Sequence, residues 1–281
     1  NKFRGSREDI ITRISIYDPL IDLIINNNSK SKFVDIGCGR GEWLQKWNEK
    51  CKHCIGIESD SNMVDYCLQK NLNVIEDDAI KALKRFENNS ILVITIFHMI
   101  EHLDYKYLDK LVEECYRVLD ADGILLMETP SIDNIVVSTK SFYLDPTHIN
   151  HINPDGFAFS LEKKGFSSSK YFYINGGPLE NNSDMKITKI FNGVAQDVSF
   201  IVTKSKKTSN LIFNKNIKWQ KELNQCFTTM EAAIDYDKMN ENIFKELNKN
   251  HENAIQDRNA KNLEIINLKN ELNLLKNELN L

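Results

Sequence analysis

The stretch VDIGCGRGEW (34–43) constrains the fold of this chain more than any other. An apolar run enters it, three glycines at alternate positions (Gly37, Gly39, Gly41) turn the backbone, and a helix-favouring run leaves it. Glycines at such a turn let the main chain adopt conformations that a Cβ forbids and approach a ligand closely. The spacing is G-x-G-x-G, which differs from the G-x-G-x-x-G of dinucleotide sites and from the GxxxxGK[ST] phosphate loop. The same grammar continues downstream. SKFVDIG, CIGIE, LNVIE, SILVITIF and GILLMET are short apolar runs separated by GEWLQKWNEK, SNMVDYCLQK, AIKALKRF and DYKYLDKLVEECYRVL. Strands buried on both faces read this way, and strand–helix alternation builds a parallel sheet covered by helices on both sides.

KYFYIN and VSFIVTK add a late strand pair, so an α/β domain is expected over residues 31–207. Residues 1–30 carry apolar positions at helical spacing, with Ser6 as N-cap, and are expected to pack on that domain as a leading helix. From 208 to 281 there is no Gly or Pro, and Asn, Lys, Glu and Leu dominate. Ile265, Leu268, Leu272, Leu275 and Leu279 step by 3, 4, 3, 4, an a/d seam over two heptads. Leu223, Phe227, Met230 and Ile234 form a shorter stripe, and His251, Arg258 and Lys261 break the register between the two. This region is expected to be helical, ending in a coiled coil that joins copies of the chain as dimers or trimers.

Composition narrows the function classes. A net charge of −4 argues against a protein held on nucleic acid by a basic surface, and DNA is not an expected partner. Six cysteines fall without a repeating spacing, and Cys51-Lys-His-Cys54 has no second pair to complete a zinc site. A reducing cytoplasm is the expected compartment. No apolar run approaches the ~20 residues of a membrane span.

Two acids strengthen the glycine turn. Glu58 ends CIGIE, 23 positions after Asp35, where an acid reaches the ribose hydroxyls of an adenosine ligand in a doubly wound sheet. Glu76-Asp77-Asp78-Ala79 follows the third strand and puts Asp78 at the level of an adenine amino group. At the end of the fourth strand stands HMIEHL (98–103). Its H-x-x-E-H spacing matches zinc peptidases, but that chemistry needs both histidines on one helix face, and here a strand runs straight into the motif. SFYLDPTHINHINPD (141–155) adds His148 and His151, so four of the six histidines fall in these two segments.

Taken together, residues 31–204 resemble the class I S-adenosylmethionine (SAM)-dependent methyltransferases. The resemblance implies a Rossmann-like seven-stranded sheet with helices on both faces, followed here by the long C-terminal helix. It implies a SAM site of Asp35, Gly37, Gly39, Gly41, Glu58, Asp78 and Phe97. HMIEHL resembles the E-x-x-E-H of small-RNA 2′-O- and ubiquinone-type O-methyltransferases, which bind a divalent metal beside the acceptor hydroxyl. His98 stands where those enzymes have Glu. His98, Glu101, His102 and His148 are therefore the expected catalytic residues, either as ligands of Mg²⁺ or Mn²⁺ or as a metal-free base.

A closer resemblance rests on FRGSREDI (3–10), D-A-I-x-x-L (78–83), FHMIEHL (97–103) and FYLDPTHINHINP (142–154). These strings look like the bacterial polysaccharide methyltransferases that terminate O-antigen chains, many of which carry a long coiled coil. The implied function is methylation of the terminal sugar of a glycan, with the coil as a spacer linking the cap to a glycosyltransferase partner at the inner face of the membrane. Tyr143, Asp145, Arg4 and Arg7 are then expected against the acceptor. An RNA ribose or quinone acceptor, or a coiled-coil scaffold with an inert domain, are the competing expectations.

Overall fold

The computed structural model describes residues 5–28, 32–48, 50–51, 53–176, 186–213 and 226–278. Seven strands form one sheet: β1 (Lys32–Ile36), β2 (His53–Glu58), β3 (Val74–Glu76), β4 (Ile91–Phe97), β5 (Leu119–Pro130), β6 (Ser168–Ile174) and β7 (Asp197–Thr203). Their order is β3-β2-β1-β4-β5-β7-β6. The first five are parallel, and β7 runs antiparallel between β5 and β6. The seven strands and the parallel run are those expected, and the antiparallel insertion of β7 is what the structure adds. Every residue of β4 is buried, as a strand covered on both faces must be.

The helices are α1 (Arg7–Ile14), α2 (Asp18–Asn26), α3 (Glu42–Asn48), α4 (Ser61–Gln69), α5 (Ala79–Leu83), α6 (Tyr105–Val118), α7 (Pro154–Lys163), α8 (Ile187–Asn192), α9 (Lys206–Phe213) and α10 (Thr229–Glu278). Two apolar clusters lie on opposite faces of the sheet. In one, Val34, Ile36, Ile94 and Ile96 meet Leu83 of α5, Leu108, Leu111 and Cys115 of α6, and Phe157 of α7. In the other, Phe33, Val93 and Phe97 meet Leu20 and Ile24 of α2, Trp43 and Trp47 of α3, and Ile212 of α9. Alternate residues of one strand serve the two clusters, as the two-residue period of a strand requires.

Two expectations about the ends of this domain change. The single leading helix is broken, because a 3-10 turn (Ser15–Tyr17) separates α1 from α2. Pro19, at the start of α2, has no N–H for an i→i−4 bond and its ring would clash with the carbonyl four residues back. Ser6 caps α1 as expected, in a capping box with Asp9. At the other end, the unit that carries the sheet runs on to Ala232, past the compositional boundary at 208, because Ile212, Thr229 and Ala232 are buried in it. Residues 233–278 form a second unit, a continuation of α10. Helix α10 starts only at Thr229, so Phe227 is not part of a helical stripe, and Leu223 and Leu279 lie outside the described residues. No helix among the described residues is long and apolar enough to cross a membrane.

Candidate active site

The ends of β1, β2 and β3 make one half of the site. Gly37, Gly39 and Gly41 have φ of +69°, +53° and +70°, so all three turn glycines sit in the left-handed region. A Cβ on Gly41 would come within 2.5 Å of Leu72 Cδ1. The turn is held from below by Gly37 N–H donating to the Ile57 carbonyl (2.8 Å). From the side, Gly39 N–H donates to Glu58 Oε2 (2.8 Å), while Glu58 Oε1 accepts from Ser59 and Asp60 N–H. Asp35 is buried and accepts from Thr95 Oγ1 at 2.7 Å. Asp78 caps α5 through Lys81 N–H (3.0 Å) and accepts the Tyr107 hydroxyl (2.6 Å). Burial disfavours its charge, but the Tyr107 hydroxyl and the Lys81 N–H outweigh that and hold Asp78 below the usual carboxylate range. Phe97 departs from expectation: its ring packs into the core between Tyr17 (5.7 Å, stacked) and Trp43 (5.3 Å, edge-on). A left-handed glycine turn at the end of β1, with an acid at the end of the neighbouring strand, suits an adenosyl cofactor, whose ribose and amino-acid part need close main-chain approach and acceptors.

The ends of β4, β5 and β7 make the other half, and its chemistry is of a different kind. His98 follows β4 in a left-handed conformation (φ +50°) that a histidine seldom adopts, and its N–H donates to the Glu128 carbonyl at 3.0 Å. Ile100–His102 is a single 3-10 turn, so His98 and His102 do not share an α-helical face. The His98 ring lies over three buried acids. Its Nδ1 is 3.5 Å from Glu101 Oε1, and its Nε2 is 3.7 Å from Glu128 Oε2 and 3.9 Å from Asp197 Oδ1. Partial burial opposes its charge, but Asp197, Glu101 and Glu128 prevail and push its pKa up to about 10. Burial raises Glu128 to about 7 against the pull of His98, and raises Asp197 as well. Tyr17, fully buried, donates its hydroxyl to Glu128 Oε1.

Glu101 connects this cluster to the loop after β5. Burial works against its charge, yet His98 keeps its carboxyl below the usual range. Its Oε2 accepts from Thr129 Oγ1 (3.0 Å), and its main-chain carbonyl accepts the Ile149 and Asn150 N–H groups. Its Oε1 is sealed from solvent with no hydrogen-bond partner. A ring nitrogen of His102, one of His148 and a carboxylate oxygen of Glu101 lie within 4.8 Å of one another. Both rings are oriented from behind. His148 Nδ1 faces the Phe142 carbonyl (2.8 Å) and must donate there, which leaves Nε2 as the acceptor 4.0 Å from Glu101 Oε1. The Thr147 hydroxyl donates to Asp145 and accepts from His102 Nδ1 (2.8 Å), so His102 also keeps Nε2 as its acceptor.

Three of the four expected catalytic residues, Glu101, His102 and His148, thus converge, and His98 pairs instead with the acids beneath. Two imidazoles and one carboxylate could receive Mn²⁺, and they suit Mg²⁺ less well, because Mg²⁺ prefers oxygen ligands. Asp145, expected against the acceptor, orients His102 through Thr147. Tyr143 is exposed near the site, its hydroxyl 3.3 Å from His151 Nε2. Arg4 lies outside the described residues. Arg7 turns away from any acceptor: its guanidinium donates to the Arg40 carbonyl (2.9 Å), the Gly41 carbonyl (3.4 Å) and Gln45 Oε1. Sequence reasoning missed Tyr17, Glu128 and Asp197. The one local signal was an acid at the tip of each of two apolar strands, GILLMET and DVSFIVT.

The profile of the methyltransferase-domain family matches residues 34–127, which span the glycine turn through β5. A crystal structure of a SAM-dependent methyltransferase from Archaeoglobus fulgidus superposes with a TM-score of 0.60 at 27% identity, over 72% of this chain and 96% of that one. The chain contains a class I SAM-dependent methyltransferase domain. The methyltransferase likeness extends to curated proteins. A probable SAM-dependent methyltransferase of Mycolicibacterium smegmatis is 28% identical over 134 residues, 47% of this chain and 51% of that protein. A mouse tRNA (carboxymethyluridine(34)-5-O)-methyltransferase is 23% identical over 200 residues, 71% of this chain. The chain spans 28% of the mouse protein's length and about half of the mycobacterial one's. Haemonchus contortus phosphoethanolamine N-methyltransferase 2, with SAM bound, shares the fold at a TM-score of 0.50 and 16% identity, over 73% of this chain and 58% of that one.

Proposed function

We propose that this protein is a SAM-dependent O-methyltransferase that caps the terminal sugar of a surface polysaccharide and so ends its growth. The observation that carries the O-methylation is the convergence of the Glu101 carboxylate with ring nitrogens of His102 and His148, all within 4.8 Å of one another, just beyond the end of β4. Glu101 Oε1 faces His98 Nδ1 only at ion-pair distance (3.5 Å) and makes no hydrogen bond, and an acceptor hydroxyl would supply one. SAM, held by the glycine turn, Glu58 and Asp78, supplies an electrophilic methyl on a sulfonium. The protein's share is to fix the hydroxyl in line and take its proton, which a sugar hydroxyl releases only to a base or to a metal within hydrogen-bond reach. Glu101 orients the hydroxyl, and His148 or His102 takes the proton. A divalent ion on the same three residues would lower the hydroxyl's pKa instead, and activity that survives EDTA and is not raised by Mg²⁺ or Mn²⁺ would remove that route.

The glycan reading rests on the FYLDPTH and FRGSREDI strings and on the long helix. In that reading copies join through Ile265, Leu268, Leu272 and Leu275, which are 49–58% exposed on a single chain. The coil acts as a spacer that brings a glycosyltransferase and the cap to the same glycan on the inner side of the membrane. Labelled SAM incubated with glycan extracted from a strain lacking this protein should transfer methyl to the terminal sugar, and Glu101→Gln should abolish it. Transfer to no glycan would refute the substrate. A second reading, an RNA acceptor, is favoured by the mouse relative's name; label appearing in total tRNA instead of glycan would establish it.

A further inference from the structure

The N-terminal helix closes on the cofactor turn through a reciprocal pair of arginines. Arg7, on the first turn of α1, donates Nη1–H to the Arg40 carbonyl (2.9 Å) and Nη2–H to the Gly41 carbonyl (3.4 Å), with Nε donating to Gln45 Oε1 (3.2 Å). Arg40, inside the turn, reaches back from Nη2 to the Gly5 carbonyl (3.4 Å). Glu42, almost fully buried, lies between the two, 2.7 Å from Arg40 Nε and 3.8 Å from Arg7 Nη1. The capping box of Ser6 and Asp9 fixes the start of α1, so the Arg7 stem leaves a rigid first turn.

Two successive carbonyls gathered by one planar guanidinium set the peptide planes on either side of Gly41. The first plane carries the Gly41 N–H, which donates to the Cys38 carbonyl (2.9 Å) and closes the turn, and the second carries the first N–H of α3. A lysine cannot replace this, since its ammonium is a single charge without the fork. We propose that Arg7 is a positioning residue that holds the glycine turn in its cofactor-accepting shape, so that docking of α1 and binding of the cofactor are thermodynamically linked. The acceptor plays no part in this, and only the cofactor site is needed for it to hold. Linkage is reciprocal: if a docked α1 tightens the cofactor, the cofactor must equally hold α1 in place.

The test uses the full chain and S-adenosylhomocysteine, without any acceptor. Calorimetry should show Arg7→Ala binding about tenfold more weakly than wild type, with Arg7→Lys recovering little of the loss, within the 5- to 150-fold span usual for coupled sites. Hydrogen exchange over residues 7–14 should slow when S-adenosylhomocysteine binds the wild-type protein and should not slow in Arg7→Lys. The wild-type exchange measurement needs no variant, so a poorly folding Arg7→Ala leaves the outcome decidable. Equal affinity in Arg7→Lys and wild type, or unchanged exchange in α1 on binding, overturns the proposal. Failure of methyl transfer to every glycan would leave these results untouched.

Discussion

The two halves of the site are built on different physical terms. Around β1, β2 and β3 the working groups are mostly main chain: left-handed glycines, N–H groups, and carboxylates whose oxygens take N–H bonds from their own turns. Around β4, β5 and β7 they are side chains whose charges depend on each other, with His98 over Glu101, Glu128 and Asp197. The first half fails when a Cβ or a lost acceptor deforms a turn. The second fails when one member of a charge cluster is left without its counterpart, because a buried group is costly once unpaired.

The largest expected effect separates the halves by function. Glu101→Gln should lower methyl transfer by about two orders of magnitude, the cost of a misplaced acceptor hydroxyl, and leave S-adenosylhomocysteine affinity within about twofold. A parallel loss of affinity would merge the halves into one. Gly41→Ala is the mirror experiment. At φ +70°, with Leu72 Cδ1 2.5 Å from the new Cβ, it should cost about 1–3 kcal/mol in urea unfolding and weaken the cofactor. Unchanged affinity would mean that the turn carries no cofactor.

Tyr17→Phe comes next. The ring keeps its place on Phe97, but Glu128 Oε1 loses its hydroxyl donor, at a cost of about 1–3 kcal/mol by denaturant unfolding. Methyl transfer should fall less than in Glu101→Gln, since Tyr17 acts through Glu128 and His98. The smallest effect is a pH dependence. Glu128 is raised from 4.5 to about 7 in the folded protein, so the folded state holds the proton longer than the unfolded chain does. Its contribution is full below pH 4.5 and is lost as pH rises through about 7. Glu128→Gln should therefore flatten the decline in stability across that window, measured as the urea midpoint at successive pH values. A steeper decline in the variant would contradict the burial of Glu128 as the cause.

The first half was largely legible because its causes are local. Three glycines two residues apart are free to adopt positive φ, and Ser6 caps its helix through the N–H three residues on. Glu58 and Asp78 follow their strands at positions that an alternating β/α pattern fixes. Phe97 and Arg7 were misplaced for the same reason in reverse. Their roles depend on Tyr17 and on the Arg40 and Gly41 carbonyls, about 80 and about 35 residues away in sequence.

The chain's own sequence therefore determined the parallel strands and the glycine turn at the end of β1. The tertiary structure decided the charge cluster. Strand β7 is antiparallel and inserted between β5 and β6, so its first residues lie at the carboxyl edge of the sheet, where Asp197 pairs with Pro130 and Ser199 with Glu128. A break at Pro19 puts Tyr17 under the same edge. Antiparallel insertion and a helix break are long-range packing outcomes, and no local periodicity encodes which acids they bring to a histidine.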